Sequence, residues 1–279
     1  MVDDHQRSAS GAAQMIDMVR SYVLLALTWI RAAAQYPVSM ALLLIGSFVV
    51  TALDIAAIAV VFVHTGTLGG FTLPEVMFLY GTAGMSFALA DLLFGNVDKL
   101  SQHVRTGAFD AMLIRPVSPF VQMAVDRFTF QRFGRTAQAA TVLGIALTRL
   151  HVPWERAWMI PLMVICGVVL FTSLWTLGGA LQFLLTDAPE VANAFTYGGG
   201  QLTQYPLSVY GSDLVRAVTF IVPLAFVNWQ PGLFVLDRPD PLGLPYWLRF
   251  LAPVAALTLA CLAAFAWRAG LRRYRSTGS

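Results

Sequence analysis

The sequence predicts an all-α polytopic membrane protein, on two grounds: the length of its uncharged runs and the way its basic residues sort between the ends of those runs. Of 279 residues, 57% are hydrophobic and only 12% charged. A bilayer-spanning helix needs about 20 mostly apolar residues. Positions 157–185 carry no charge over 29 residues, 217–236 over 20 and 250–267 over 18. Positions 32–53 and 55–74 are separated only by Asp54. A soluble core needs no runs of this length, so the chain reads as one membrane domain over 15–275, with no soluble domain.

The first 14 residues are small and polar and are expected to be disordered. From Met15 a helical period begins. Asp17, Arg20, Ser21, Thr28, Arg31 and Gln35 form one polar stripe, and Ile16, Val19, Val23, Ala26, Leu27 and Ile30 fill the other side. A helix over 15–35 with these faces lies in the membrane interface. A cleaved signal peptide is the rival reading, because Val23–Ile30 precedes Ala32-Ala33-Ala34. Its apolar core is short, however, and Asp17 and Arg20 interrupt the approach.

Pro37 ends this helix, and six spans follow, at about 40–63, 76–94, 128–150, 157–185, 215–227 and 247–267. A glycine-rich turn at Gly66–Gly70 joins the first two. The third has a short uncharged part, 137–150, so Arg132 and Arg135 sit at the interface and snorkel. A loop over 186–213, rich in Gly, Pro and Tyr, precedes the fifth; splitting it would give a seven-span variant that fits the charges less well.

With six spans both termini share one side. That side carries 14 of the 18 Lys and Arg residues; only Arg149, Arg156, Arg238 and Arg249 fall on the other. The positive-inside rule puts the termini in the cytoplasm. The same sorting argues against nucleic acid as the reason for a predicted isoelectric point of 9.1, because the basic residues form no single patch. Cys166 and Cys261 fall inside apolar spans and read as free thiols. His5, His64, His103 and His151 have no ligand-like spacing, so no metal site is expected.

No G-x-x-x-x-G-K-[ST] loop is present, and Lys99 is the only lysine, so the chain lacks the usual phosphate cradle. No catalytic residues and no bound cofactor are expected. Energy has to come from a partner or from an ion gradient. Two intramembrane carboxylates bear on the gradient: Asp54, midway along the first span, and Asp91, in the inner half of the second. A charge at that depth costs a few kcal/mol and is a functional candidate unless paired. Asp91 has Arg132 or Arg135 as a possible partner; Asp54 could equally be paired, face water, or serve a proton-coupled carrier. No inverted repeat or matched pair of broken helices supports the carrier.

A polar island at Arg105–Pro119 stands out from this background. Gly107 breaks the chain before a short helix, 108–114. Asp110 lies early in that helix and Arg115 at its end, as the helix dipole favours. Phe109, Met112 and Leu113 form an apolar contact face, Asp110 and Arg115 are expected on the solvent side, and Pro116 and Pro119 stop the helix. A plain surface helix and a docking site for a soluble partner are equally consistent with these residues.

The pattern Gly107-x-Phe109-Asp110-x-x-Leu113-x-Arg115-Pro116 resembles the cytoplasmic loop of ABC-2 type transporter permeases, and of a bacterial branch with a six-span permease and a separate ATPase in particular. Phe133-Gly134-Arg135, the run Gln204–Tyr210 and the run Ile221–Pro231 agree in order and spacing. The likeness extends from about Met15 to Arg273. It implies a half-transporter in the bacterial inner membrane that pairs with a second copy or a related permease and binds two ABC ATPase subunits, which hold the ATP and magnesium. The loop helix would then be the coupling helix, with Gly107, Phe109, Asp110, Leu113, Arg115 and Pro116 as ATPase-coupling residues, and 15–35 the elbow helix. Most relatives export, so an amphipathic or hydrophobic cargo is expected. A gradient-driven secondary transporter using Asp54, and a non-transporting membrane scaffold, remain the alternatives.

Overall fold

The computed structural model describes residues 20–24, 27, 28, 31, 35–126, 131–183 and 193–274. The expected disordered start, most of the interfacial helix, the beginning of the third span and residues 184–192 lie outside these, as does the side chain of Asp54. Among the described residues the protein is helical, apart from one isolated antiparallel bridge between Leu68 and Phe71.

Pro37 opens helix α1 (Pro37–Thr65) rather than only closing the segment before it. At the first helical position its missing N–H is no loss. α2 (Leu73–Phe94) starts at Thr72, whose backbone N–H and hydroxyl both donate to Glu75 Oε2 at 2.7 and 2.8 Å. Three short helices make the inner loop: α3 (Leu100–Arg105), α4 (Ala108–Leu113) and α5 (Pro119–Ala124). α6 (Gln131–Arg149) returns alongside α2. α7 (Trp154–Ala157) leads directly into α8 (Met159–Gln182). A π-helical turn, Ala194–Gly198, runs into α9 (Gly199–Thr203). α10 (Ser212–Phe220), α11 (Trp229–Val235) and α12 (Ala252–Arg273) complete the order.

Among the described residues four helices are long and apolar enough to cross a bilayer: α1, α2, α7 with α8, and α12. The segment expected as the fifth span is not one helix. It ends at Phe220, and the chain bends by 80° before continuing through Leu224–Val235. Pro223 explains the break, since it has no N–H to give and keeps the residue before it out of the helical region. The far side is fixed by Asn228, 2% exposed, whose amide donates to Leu79 O at 3.0 Å and Thr203 O at 2.6 Å. The expected third span is α6, whose 19 residues rise about 28 Å. It is too polar to count as a span by composition. Its buried face explains why: Arg132 and Gln138 lie there with Gly134, Ala139, Val142 and Ala146.

The main core lies among α2, α6, α8, α11 and α12, with Phe78, Phe171, Trp175 and Trp229 almost wholly enclosed. α2 and α6 meet with little between them: a Cβ on Gly81 would lie 2.8 Å from the Leu143 backbone. α1 contributes little to this core; among its described side chains only Ile58 and Phe62 are buried. At the end of α2 away from the loop, Arg238 grips Glu75 with two bonds of 2.8 and 2.9 Å. Arg249 donates to Arg238 O at 2.9 Å there, and Arg156 pairs with Asp237 at 2.9 Å. Three of the four basic residues expected outside therefore gather at one end of the fold.

The close seam gives a direct test. Gly81→Leu should destabilise the protein by about 1–3 kcal/mol through overpacking. Gly144→Ala, where a Cβ meets nothing within 4 Å, should be neutral or slightly stabilising. Denaturation in mixed micelles measures both.

Candidate functional site

The inner end of α2 carries a buried ion cluster. Asp91, 3% exposed, receives Arg132 Nε at 3.4 Å and Arg135 Nη1 at 3.3 Å. The sequence offers either arginine as partner; both are brought together, one turn apart on α6. Arg132 also donates to Asn96 Oδ1 at 2.8 Å. The Asn96 amide donates onward to Ala124 O at 3.3 Å and to Asp126 O. A chain of polar contacts thus runs from α6 through α2 to the loop. Two guanidinium groups share one carboxylate here: Asp91 and Arg132 are shielded from solvent, while the Arg135 side chain is 44% exposed.

The neck of the loop is held from a third side. Asp98, in the 3-10 turn Val97–Lys99, receives the Tyr197 hydroxyl at 3.1 Å. Burial pushes the Asp98 carboxyl above the usual carboxylate range, against the hydrogen bond from Tyr197. Gln182, the last residue of α8, accepts from the Ser101 N–H at 2.6 Å and donates to Asp98 O at 3.0 Å. His103 places one ring nitrogen 2.9 Å from Lys99 O and the other 2.8 Å from Asp126 Oδ2.

The loop helix, expected at 108–114, is α4 at Ala108–Leu113. Gly107 precedes it with φ 71°, in the left-handed region where a side chain is strained. The expected contact face needs correction. Phe109 is fully buried and Met112 nearly so, in a second core with Phe183, Trp267 and Tyr274. Phe109 sits 5.1 Å from the Tyr274 ring and 5.5 Å from Phe183. Asp110, expected on the solvent side, is half-buried and accepts the Tyr274 hydroxyl at 3.0 Å. Burial and the nearby Asp110 push that hydroxyl up to about 12, so it stays a donor at neutral pH. An amphipathic helix turns its apolar side to the nearest apolar surface, and here that surface belongs to the protein.

What the loop presents outward is its tip: Leu113, Ile114, Arg115 and Pro116, with Ile114 87% exposed. Behind the tip Gln122, itself buried, donates to Met112 O at 2.9 Å and Val117 O at 2.7 Å, closing the turn. Asn96, Gln122, Gln182 and Tyr274 are functional supports that the sequence did not mark. Gln122 bonds five and ten residues back, whereas Asn96, Gln182 and Tyr274 bond to residues 28 to 164 positions away, and a lone amide or a tyrosine in a basic tail carries no local signal of that.

Beside the ion cluster a cleft of about 660 Å³ opens between α1, α2, α6 and the segment 197–204. Arg135 reaches it from α6. Among the described residues no group of three or more His, Cys, Asp or Glu could hold a metal ion.

Residues 48–278, most of the chain, match the family model described as ABC-2 family transporter protein. The chain belongs to this family. The ABC-2 permease is thus a multi-pass membrane component of an ABC transporter and not a catalytic enzyme itself. Permeases of this family generally work with ABC ATPase subunits. Comparison with curated proteins and with solved structures gives no match.

Two outcomes follow from the geometry. Asp91→Asn strands Arg132, whose side chain is 7% exposed, and should cost about 3–5 kcal/mol of stability. With Arg132→Gln added, the loss should be less than additive by denaturation. Phe109→Ala should free the loop without melting the spans. Limited trypsin digestion should then cut faster after Arg105, while the main unfolding transition of the purified protein stays in place.

Proposed function

We propose that this ABC-2 permease is the membrane half of an ATP-driven exporter, driven through its loop at 105–119 by separate ATPase subunits that carry the ATP and magnesium. The observation that carries this reading is the mounting of the loop. An exposed tip, Leu113–Pro116, stands on a second hydrophobic core that is tied by polar bonds to the ends of α2, α6 and α8. A soft loop would absorb a push; one braced on three long helices passes it on.

The six-span arrangement follows if α6 serves as the third span and the broken pair α10 and α11 as the fifth. Tyr22, from the expected elbow helix, donates to Leu93 O at 2.9 Å, and Tyr274 closes on Asp110. Tyr22 and Tyr274 thus both bond on the loop's side of the fold, which supports reading that side, with the charge bias, as the cytoplasmic face of a bacterial inner membrane. The exporter works as a dimer with a second copy or a related permease, and moves an amphipathic or hydrophobic cargo.

The test is capture. Tagged permease, solubilised from its native membrane, should retain an ATP-hydrolysing subunit. Ile114→Arg should cut that retention by about tenfold or more, the scale of a hot-spot residue, with unchanged melting. Wild-type permease that retains no ATPase, or an Ile114→Arg variant that retains as much as wild type, sinks the proposal.

A further inference from the structure

The cleft beside the ion cluster is divided chemically along its length. One wall is the inner half of α1, where Leu42, Leu43 and Val50 offer aliphatic surface, with Phe87 of α2 facing them. The other wall belongs to α6, where Gln131, Arg135 and Gln138 recur at spacings of four and three and so share one helix face. Gln201 and Gln204 add amides from the third side. At about 660 Å³ the space suits a molecule of lipid-fragment or drug size.

Two observations point to an occupant. Gln138 is 6% exposed, and its amide nitrogen has no hydrogen-bond partner in the protein. A buried donor left so is costly, and an acceptor in the cleft relieves it. Arg135 shares Asp91 with Arg132, so the pair of cations exceeds the carboxylate by one charge. Asp98 receives the Tyr197 hydroxyl and, among the described residues, makes no ion pair with either arginine. A half-exposed guanidinium that shares its carboxylate with a second arginine, and an unsatisfied amide one helical turn away at the edge of an apolar wall, are complementary to an anionic head on a hydrocarbon tail.

We propose that this cleft binds an amphiphile with an anionic headgroup, its head on Arg135 and Gln138 and its tail along the inner half of α1. On the permease reading, on which the assignment as cargo rests, the site receives cargo from the inner leaflet. The ligand is a membrane amphiphile rather than a free anion, since a free anion makes no use of the aliphatic wall.

The full chain, purified in a neutral detergent, is titrated with tail-labelled phosphatidylglycerol and phosphatidylcholine of identical chains, with inorganic phosphate as competitor. Phosphatidylglycerol should bind about tenfold more tightly or better, the scale of one charge-assisted bond, and millimolar phosphate should not displace it. Arg135→Gln should remove the preference and Arg135→Lys retain part of it. Gly46→Phe puts a ring into the cleft from a position where a Cβ meets nothing within 4 Å, and should block both lipids with unchanged melting. It keeps the test decisive if Arg135→Gln fails to fold. Equal binding of the two lipids, displacement by phosphate alone, or full binding to Gly46→Phe overturns the proposal. So does a change of oligomeric state on Gly46→Phe, which would mean a second copy covers the cleft. The titration needs no ATPase: lost lipid binding with intact ATPase capture removes this site alone, whereas lipid binding without capture removes the exporter reading and leaves the site.

Discussion

The contact on which the rest depends is Asp91 held between Arg132 and Arg135. Asp91 and Arg132 are buried together and are tolerable there only while they stay paired, whereas Arg135 joins them from a half-exposed position. The cluster fixes the register of α6 against α2, and that register lets Gly81 meet the Leu143 backbone with nothing between them. Through Asn96 it also fixes where the inner loop leaves the membrane end of α2. One carboxylate thus sets a helix pair, a loop exit and the electrostatics of the adjoining cleft.

The loop shows how sequence chemistry can be shared between support and display. Its most conspicuous hydrophobic residue, Phe109, is not displayed; it is the anchor that seats α4 against α12 and the end of α8. Display falls to Leu113 and Ile114, one turn later, where the apolar period runs past the end of the helix. Aromatic contacts among Phe109, Phe183, Trp267 and Tyr274 give this small core a stiffness that aliphatic side chains alone would not.

Much of this was legible in the chain. The uncharged runs locate α1, α8 and α12, and Gly107 with Pro116 brackets the loop helix. Legibility fails where a residue's role is set by a distant partner. The run at 128–150 is expected as a span although hydropathy counts its polar residues as cost, and only the structure shows that Arg132 and Gln138 of α6 are buried. The break after Phe220 was masked by an uncharged run that does not distinguish one helix from two, although Pro223 was there to be read. Asp110 was placed by the helix dipole alone, and the tyrosine that claims it lies 164 residues away.

α1 stands apart in a way that bears on the whole. At 29 residues it rises about 43 Å, against roughly 30 Å for a hydrocarbon core. A helix with that excess tilts, and the angle follows the thickness of the surrounding lipid unless neighbours fix it. Ile58 and Phe62 tie its outer half into the main core, while in its inner half Leu44 lies against Gly134 of α6. The helix is therefore a lever hinged near one bilayer surface, and thinning or thickening the membrane should swing its free arm, so that the width of the cleft is set in part by the lipids around it.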